Sequence, residues 1–238
     1  MYQPGFNDRF YHRYTYDAEN RLTLVETSLD SLVWERDARY EYYRHGPLAR
    51  MTIGEQMVQG VDYAYTLQGW LKGINSTSGA FAQDMGNDGQ AGGLNQYTAR
   101  DVLGLTLNYF GGEYTAINGT VNPFPDYTTA LGQHFRPLYN GNISGTSLYN
   151  RKFAQGNPNE PVRFYNYRYD QLNRLTGLDM FTGYNAGSNS WPSMNINANM
   201  QERVAYDANG NITKYLRNAW PTTMDSLNYT YYPGTNGL

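Results

Sequence analysis

The sequence predicts an all-β fold in which tandem β-hairpins lie side by side in one long, curved antiparallel sheet. The first observation is a recurring pattern: a tyrosine, then Asn or Gly four positions later, then Leu or Ile six positions later. It appears as Tyr16, Asn20, Leu22; Tyr42, Gly46, Leu48; Tyr65, Gly69, Leu71; Tyr169, Asn173, Leu175; and Tyr206, Gly210, Ile212, with a further copy expected at Tyr232, Asn236, Leu238. The second is a composition of 16% aromatic residues with 24 tyrosines, which suits a sheet whose faces are both partly wet. The third is strict alternation at Leu103, Leu105, Leu107 and Tyr109, the period of a strand.

One copy of the pattern explains itself. Residues two apart share a face of a strand, so Tyr14 and Tyr16 point together, and Leu22 and Leu24 are expected to do the same. Between them the chain must reverse. Asp17 suits the start of a type I turn, Ala18 and Glu19 its centre, and Asn20 the left-handed position that closes a three-residue hairpin loop. Asn and Gly are the residues that resist a positive φ least. Asp17, Asp170 and Asp207 recur at the turn start because a short carboxylate can accept the turn's own amides. Tyr16 and Leu22 thereby become cross-strand partners, worth about 0.2–1 kcal/mol per pair.

The run Tyr-x-Tyr-Asp-x-x-Asn-Arg-Leu, at residues 14–22 and 167–175, resembles the YD repeat of the RHS-repeat family. That family includes bacterial polymorphic toxins, the cocoon component of insecticidal Tc toxins, and the teneurins. Recognisable copies cover residues 14–74 and 165–238. The resemblance implies hairpins added into a strip that coils into a hollow β-shell, enclosing a toxin or closing a cavity. Its implied partners are the rest of a parent chain and an enclosed domain, outside the cell or on a bacterial surface. Gly92, Gly93, Leu94, Asn95, Gln96 and Tyr97 faintly resemble part of the family's autocleavage hallmark, but the aspartate-proline surroundings are missing and the activity is not carried over.

Along the chain, residues 2–10 read as a polar lead-in and 11–27 as the first hairpin. Residues 29–34 read as a short apolar strand and 37–39 as a connection. Hairpins follow at 40–53 and 61–74. Three stretches break the repeat and read as insertions: 75–100, 118–133 and 183–199. Residues 102–117 read as a worn hairpin turning at Gly111 and Gly112, 135–149 as another turning at Gly141, and 155–161 as a connection. Hairpins close the chain at 162–180, 202–216 and 227–238. About eight hairpins would give roughly 16 strands spanning about 75 Å, a width that must curl. The whole is read as a single repeat region, expected to be an excised piece of a longer protein whose open edges invite pairing with another copy.

Several function classes find little footing. Net charge is −3 with no basic stripe, so a nucleic-acid footprint is unsupported. There is no cysteine, hence no disulfide framework or thiolate metal site. No apolar run approaches the roughly 18–20 residues of a membrane helix, and the first residues lack the pattern of a signal peptide. His12, His45 and His134 have no second ligand in register. Asp84, Asn87 and Asp88 offer oxygen ligands without the acidic group that a calcium loop requires, and residues 207–211 fail the same test at Ile212 and Asn218. No nucleophile elbow is present. We therefore expect no catalysis, cofactor or metal. The alternative is an adhesive or carbohydrate-binding surface: Trp34, Trp70, Trp191 and Trp220 could stack on sugar rings, with Trp191 in a loop the residue to watch.

Overall fold

The computed structural model describes residues 9–152, 162–219 and 223–232. Among these lie thirteen strands in one sheet, each paired with its neighbours in sequence. They are β1 (Tyr11–Tyr16), β2 (Leu22–Ser28), β3 (Glu35–Tyr42), β4 (Leu48–Ile53), β5 (Gln59–Tyr65), β6 (Leu71–Ile74), β7 (Leu103–Asn108), β8 (Gly145–Asn150), β9 (Val162–Tyr169), β10 (Leu175–Thr182), β11 (Asn195–Tyr206), β12 (Ile212–Asn218) and β13 (Thr223–Asn228). Every pairing is antiparallel, and the sheet is an open meander with β1 and β13 at its edges.

The turn at residue 17 shows how the pattern folds. The Asp17 amide donates to the Arg21 carbonyl and the Asn20 amide to the Asp17 carbonyl. The Asp17 carboxylate also accepts the Glu19 and Arg21 amides. Asn20 sits at φ 62° and Asn173 at 61°, with Gly46, Gly69 and Gly210 likewise in the left-handed region. Tyr16 pairs with Leu22, Tyr42 with Leu48, Tyr65 with Leu71, Tyr169 with Leu175 and Tyr206 with Ile212.

After each of these pairs the register slips by one. Thr15 faces Leu24, so Thr23 is an extra residue, and Ala49, Lys72, Thr176 and Thr213 are extra in the other four hairpins. This corrects the expectation that Leu22 and Leu24 share a face. A β-bulge adds right-handed twist at each repeat, and a sheet twisted so often bends.

Other boundaries differ from the sequence reading for identifiable reasons. Residues 29–34 form a loop, not a strand, because the Asp30 carboxylate takes the Leu32 and Val33 amides and the Ser28 hydroxyl takes the Ser31 amide. Residues 37–39 lie inside β3. Residues 114–117 do not pair with β7, whose two sides are taken by β6 and β8. Of the expected 135–149 hairpin only residues 145–149 are strand, the start of β8, which runs on to Asn150. Residues 195–199, expected in a loop, begin β11. The connection at 155–161, Trp220 and residues 233–238 of the last expected hairpin lie outside the described residues, and of that hairpin's described part Leu227 and Asn228 end β13.

Two faces result. Cross-strand partners Ala64, Gly73, Thr106, Ser147, Phe164 and Phe181 are all buried, under the insertions. Small residues on this face let the insertions approach closely: a Cβ on Gly73 would strike Phe124, and one on Gly104 the Ser76 backbone. Above β8–β10, the short helix α1 (Thr128–Leu131) and the 184–191 loop complete a core of Tyr127, Leu131, Tyr149, Val162, Phe164, Phe181, Tyr184 and Trp191. On the opposite face Tyr63, Ile74, Leu105 and Leu148 are partners in turn and stay half-buried.

Candidate functional site

The most repeated piece of side-chain chemistry lies between hairpins. The Tyr42 hydroxyl on β3 donates to the Leu22 carbonyl on β2 at 2.8 Å. The same bond joins Tyr109 to Leu71, Tyr169 to Ile143, Tyr206 to Leu175 and Tyr231 to Ile212, at 2.8–2.9 Å. At Leu22, Leu71, Leu175 and Ile212 a bulge interrupts the ladder, and the carbonyl there accepts a phenol from the next hairpin; Ile143 lies just ahead of β8.

In three of the five bonds the residue just before the leucine covers that phenol's ring. The Arg21 guanidinium lies 4.6 Å from the Tyr42 ring centre, and Arg174 lies 4.5 Å from that of Tyr206. Each arginine is itself held by the turn aspartate, Arg21 by Asp17 at 2.7 Å and Arg174 by Asp170 at 2.6 Å. The Arg21 amide, ahead of its side chain, holds the Asp17 carboxyl below the usual carboxylate range, and the Arg174 amide does the same for Asp170. Trp70 takes the arginine's place over Tyr109, ring centres 5.0 Å apart.

Pro47 stands at the equivalent position of the second hairpin, and there the pattern changes. Tyr43 donates to the Tyr63 carbonyl at 2.8 Å and meets Tyr65 edge-on. A cavity of about 380 Å³ opens between the turns, lined by Tyr43, His45, Pro47, Tyr65, Tyr114 and Ile117 among others.

Buried charges fasten one insertion and the segment after β7 to the sheet, and strands to one another. Arg50 on β4 bridges Asp62 on β5 and Asp88 of the 75–100 insertion, each at 2.5 Å. Asp84 and Asp101 lie in the same acidic neighbourhood. Burial pushes Asp62 up to about 6 and, helped by Asp84, Asp62 and Asp88, Asp101 up to about 8. Lys72 bonds Glu113 and Asn108 at 2.7 Å, with burial lowering its pKa, and Glu113 caps the Tyr109 and Phe110 amides. On β10, fully buried Asp179 takes Arg168, Arg203 and Gln201.

These fasteners escaped the sequence reading. The available signal was a charge at a strand position whose flanking residues face the other way, as at Asp62 between Val61 and Tyr63. Trp191, the expected ligand contact, is 5% exposed and packs edge-on against Phe164 and Tyr184, so its ring cannot stack on an external sugar. Trp34 lies under Arg13. His12 stacks on Tyr14, His45 on Tyr43, and His134 meets Phe181 edge-on. Asp84 accepts the Gly86 and Asn87 amides, while Asp88 is committed to Arg50.

No family model matches the chain, and no curated protein matches it. Solved structures do. The crystal structure of TcdB2-TccC3-Cdc42 matches over 95% of this chain and 9% of that one, at 16% identity and a TM-score of 0.52. A Photorhabdus luminescens Tc holotoxin pore carrying a TccC3 substitution matches over the same shares, at 16% identity and a TM-score of 0.54. The chain thus spans 9% of the length of the structures it resembles. At this identity the likeness is one of fold, and it extends over nearly the whole hairpin strip.

Proposed function

We propose that this chain is a structural segment of an RHS-type β-shell that encloses or displays a toxin or effector domain, on a secreted or cell-surface protein, with no catalysis of its own. The observation that carries this reading is the tyrosine-to-leucine bond passed from hairpin to hairpin, a device for extending a sheet sideways. The likeness of fold to a Tc toxin chain supports it. The insertions, one of them clamped down by Arg50 through Asp88, thicken one face into a wall.

The test is electron cryo-microscopy of the full translation product that carries this segment. The expected result is a closed or spiralling shell with the segment in its wall and a separate domain inside or at its mouth. A product in which the segment stands alone with both faces in solvent overturns the reading.

A carbohydrate-binding role has one feature in its favour, the aromatic cavity at Tyr43, Tyr65 and Tyr114. A glycan array that shows binding abolished by Tyr65→Ala supports it, and an array without hits removes it.

A further inference from the structure

The second hairpin departs from the pattern at two positions at once. Where the turns at 17–21 and 170–174 carry Asp17 and Asp170 it has Tyr43, and where they carry Arg21 and Arg174 it has Pro47. It therefore brings neither a guanidinium to lie on the next tyrosine ring nor a carboxylate to hold one. The next tyrosine is Tyr65. Arg21 lies 4.6 Å from the centre of the corresponding ring, Arg174 4.5 Å and the Trp70 indole 5.0 Å. Tyr43 meets Tyr65 edge-on at a wider 6.4 Å, and among the described residues no guanidinium or indole lies on the Tyr65 ring. The cavity of about 380 Å³ opens at this place, lined by Tyr43, Tyr65 and Tyr114.

We infer that this cavity receives an arginine side chain from a segment of a partner protein, its guanidinium lying on Tyr65 as Arg21 lies on Tyr42. This goes beyond the shell reading and stands without it. Tyrosine faces attract a cation, and a flat, weakly hydrated guanidinium stacks on them where a lysine ammonium keeps its water. Glu113 also lines the cavity, but its carboxylate is committed to Lys72 and to the Tyr109 and Phe110 amides, so the rings carry the recognition.

The mouth of the cavity points to a protein segment as the source of the guanidinium. Leu67 is 98% and Ile117 87% exposed, and both line the opening. A free small cation leaves these side chains in water, whereas the residues beside an arginine in a chain cover them.

The experiment titrates the peptide acetyl-Leu-Arg-Leu-amide into the chain by calorimetry. Its citrulline counterpart, which keeps the shape and loses the charge, and methylguanidinium alone are titrated beside it. The arginine peptide should bind about tenfold more tightly than the citrulline peptide and about fivefold more tightly than methylguanidinium. Tyr65→Leu, which keeps an apolar partner for Leu71, should weaken the arginine peptide about tenfold. Pro47→Arg gives the second hairpin the residue of its sister turns, so the protein's own guanidinium fills the place. The peptide should then bind about tenfold more weakly than it does to Pro47→Ala, the control for losing the proline ring. Absence of binding at about 10 mM peptide, equal affinity for the citrulline peptide, or an equal loss in Pro47→Arg and Pro47→Ala overturns the proposal. Methylguanidinium binding as tightly as the peptide overturns it by making a small cation the occupant. A soluble glycan that displaces the peptide overturns it by making a sugar the occupant. The shell reading is tested separately, in the imaging of the full product.

Discussion

The Tyr42 hydroxyl reaches back 20 residues to the Leu22 carbonyl, and the Tyr206 hydroxyl reaches back 31 to that of Leu175. The two bonds have the same length, and each ring lies under an arginine that a turn aspartate holds. Removing the hydroxyl tests whether this bond is structural glue. We expect Tyr42→Phe and Tyr206→Phe each to cost about 1 kcal/mol in urea unfolding, with the β-sheet circular dichroism unchanged. A cost under about 0.3 kcal/mol at both sites would reduce the bonds to bystanders.

The left-handed turn position gives a second expectation. A Cβ on Gly69 meets nothing within 4 Å, so Gly69→Ala tests backbone strain alone. The variant should lose about 1 kcal/mol, and Asn20→Gly should stay within about 0.5 kcal/mol of the original. Thermal and urea denaturation of the two variants would check this, and a stable Gly69→Ala would contradict the turn geometry.

The acidic cluster sets a pH dependence. Asp101 and Asp62 have raised folded values, about 8 and about 6, so between pH 4 and 8 the folded chain holds protons that the unfolded chain has released. Stability should therefore fall as pH rises across that window. Asp17, Asp170 and Asp207 are lowered, so their contribution is present above pH 4 and lost in stronger acid. Asp101→Asn should flatten the alkaline limb, raising Tm by about 3–6 °C at pH 8.5 and little at pH 5. A wild-type Tm that is level from pH 5 to 8.5 would refute this.

Lys72 offers a harsher test. Lys72→Met removes the cation from beside buried Glu113 and should cost about 3–5 kcal/mol, loosening the 109–127 segment. Limited proteolysis should then cut that segment first. Replacing Glu113 as well, with Gln, should recover part of the loss, because the uncompensated charge is gone.

How much of this was legible depends on the range of the interaction. The turn at Asp17, Asn20 and Leu22 is a matter of six neighbouring residues, and its propensities read directly. The bulge at Thr23 was hidden because one extra residue leaves the apolar pattern of Leu22 and Leu24 intact. Leu29, Leu32 and Val33 suggested a strand by composition, and the side chains of Asp30 and Ser28 decided otherwise. Trp191 was placed on the surface because its loop is polar, yet its partner Phe164 lies 27 residues earlier, beyond any local pattern. The clamp from Arg50 to Asp88 spans 38 residues and left only a charge in an unexpected strand position.

The five tyrosine bonds to a leucine or isoleucine carbonyl share a direction, the acceptor lying earlier in the chain than the donor, while Tyr43, which gives its hydroxyl to the later Tyr63 carbonyl, runs the other way. On the ribosome, the tyrosine of each of these five bonds therefore finds its carbonyl already made, and that part of the strip can be assembled in the order of translation. The same polarity makes length cheap to vary, since a gene duplication that adds a whole hairpin delivers one donor and one acceptor together and leaves both neighbours served.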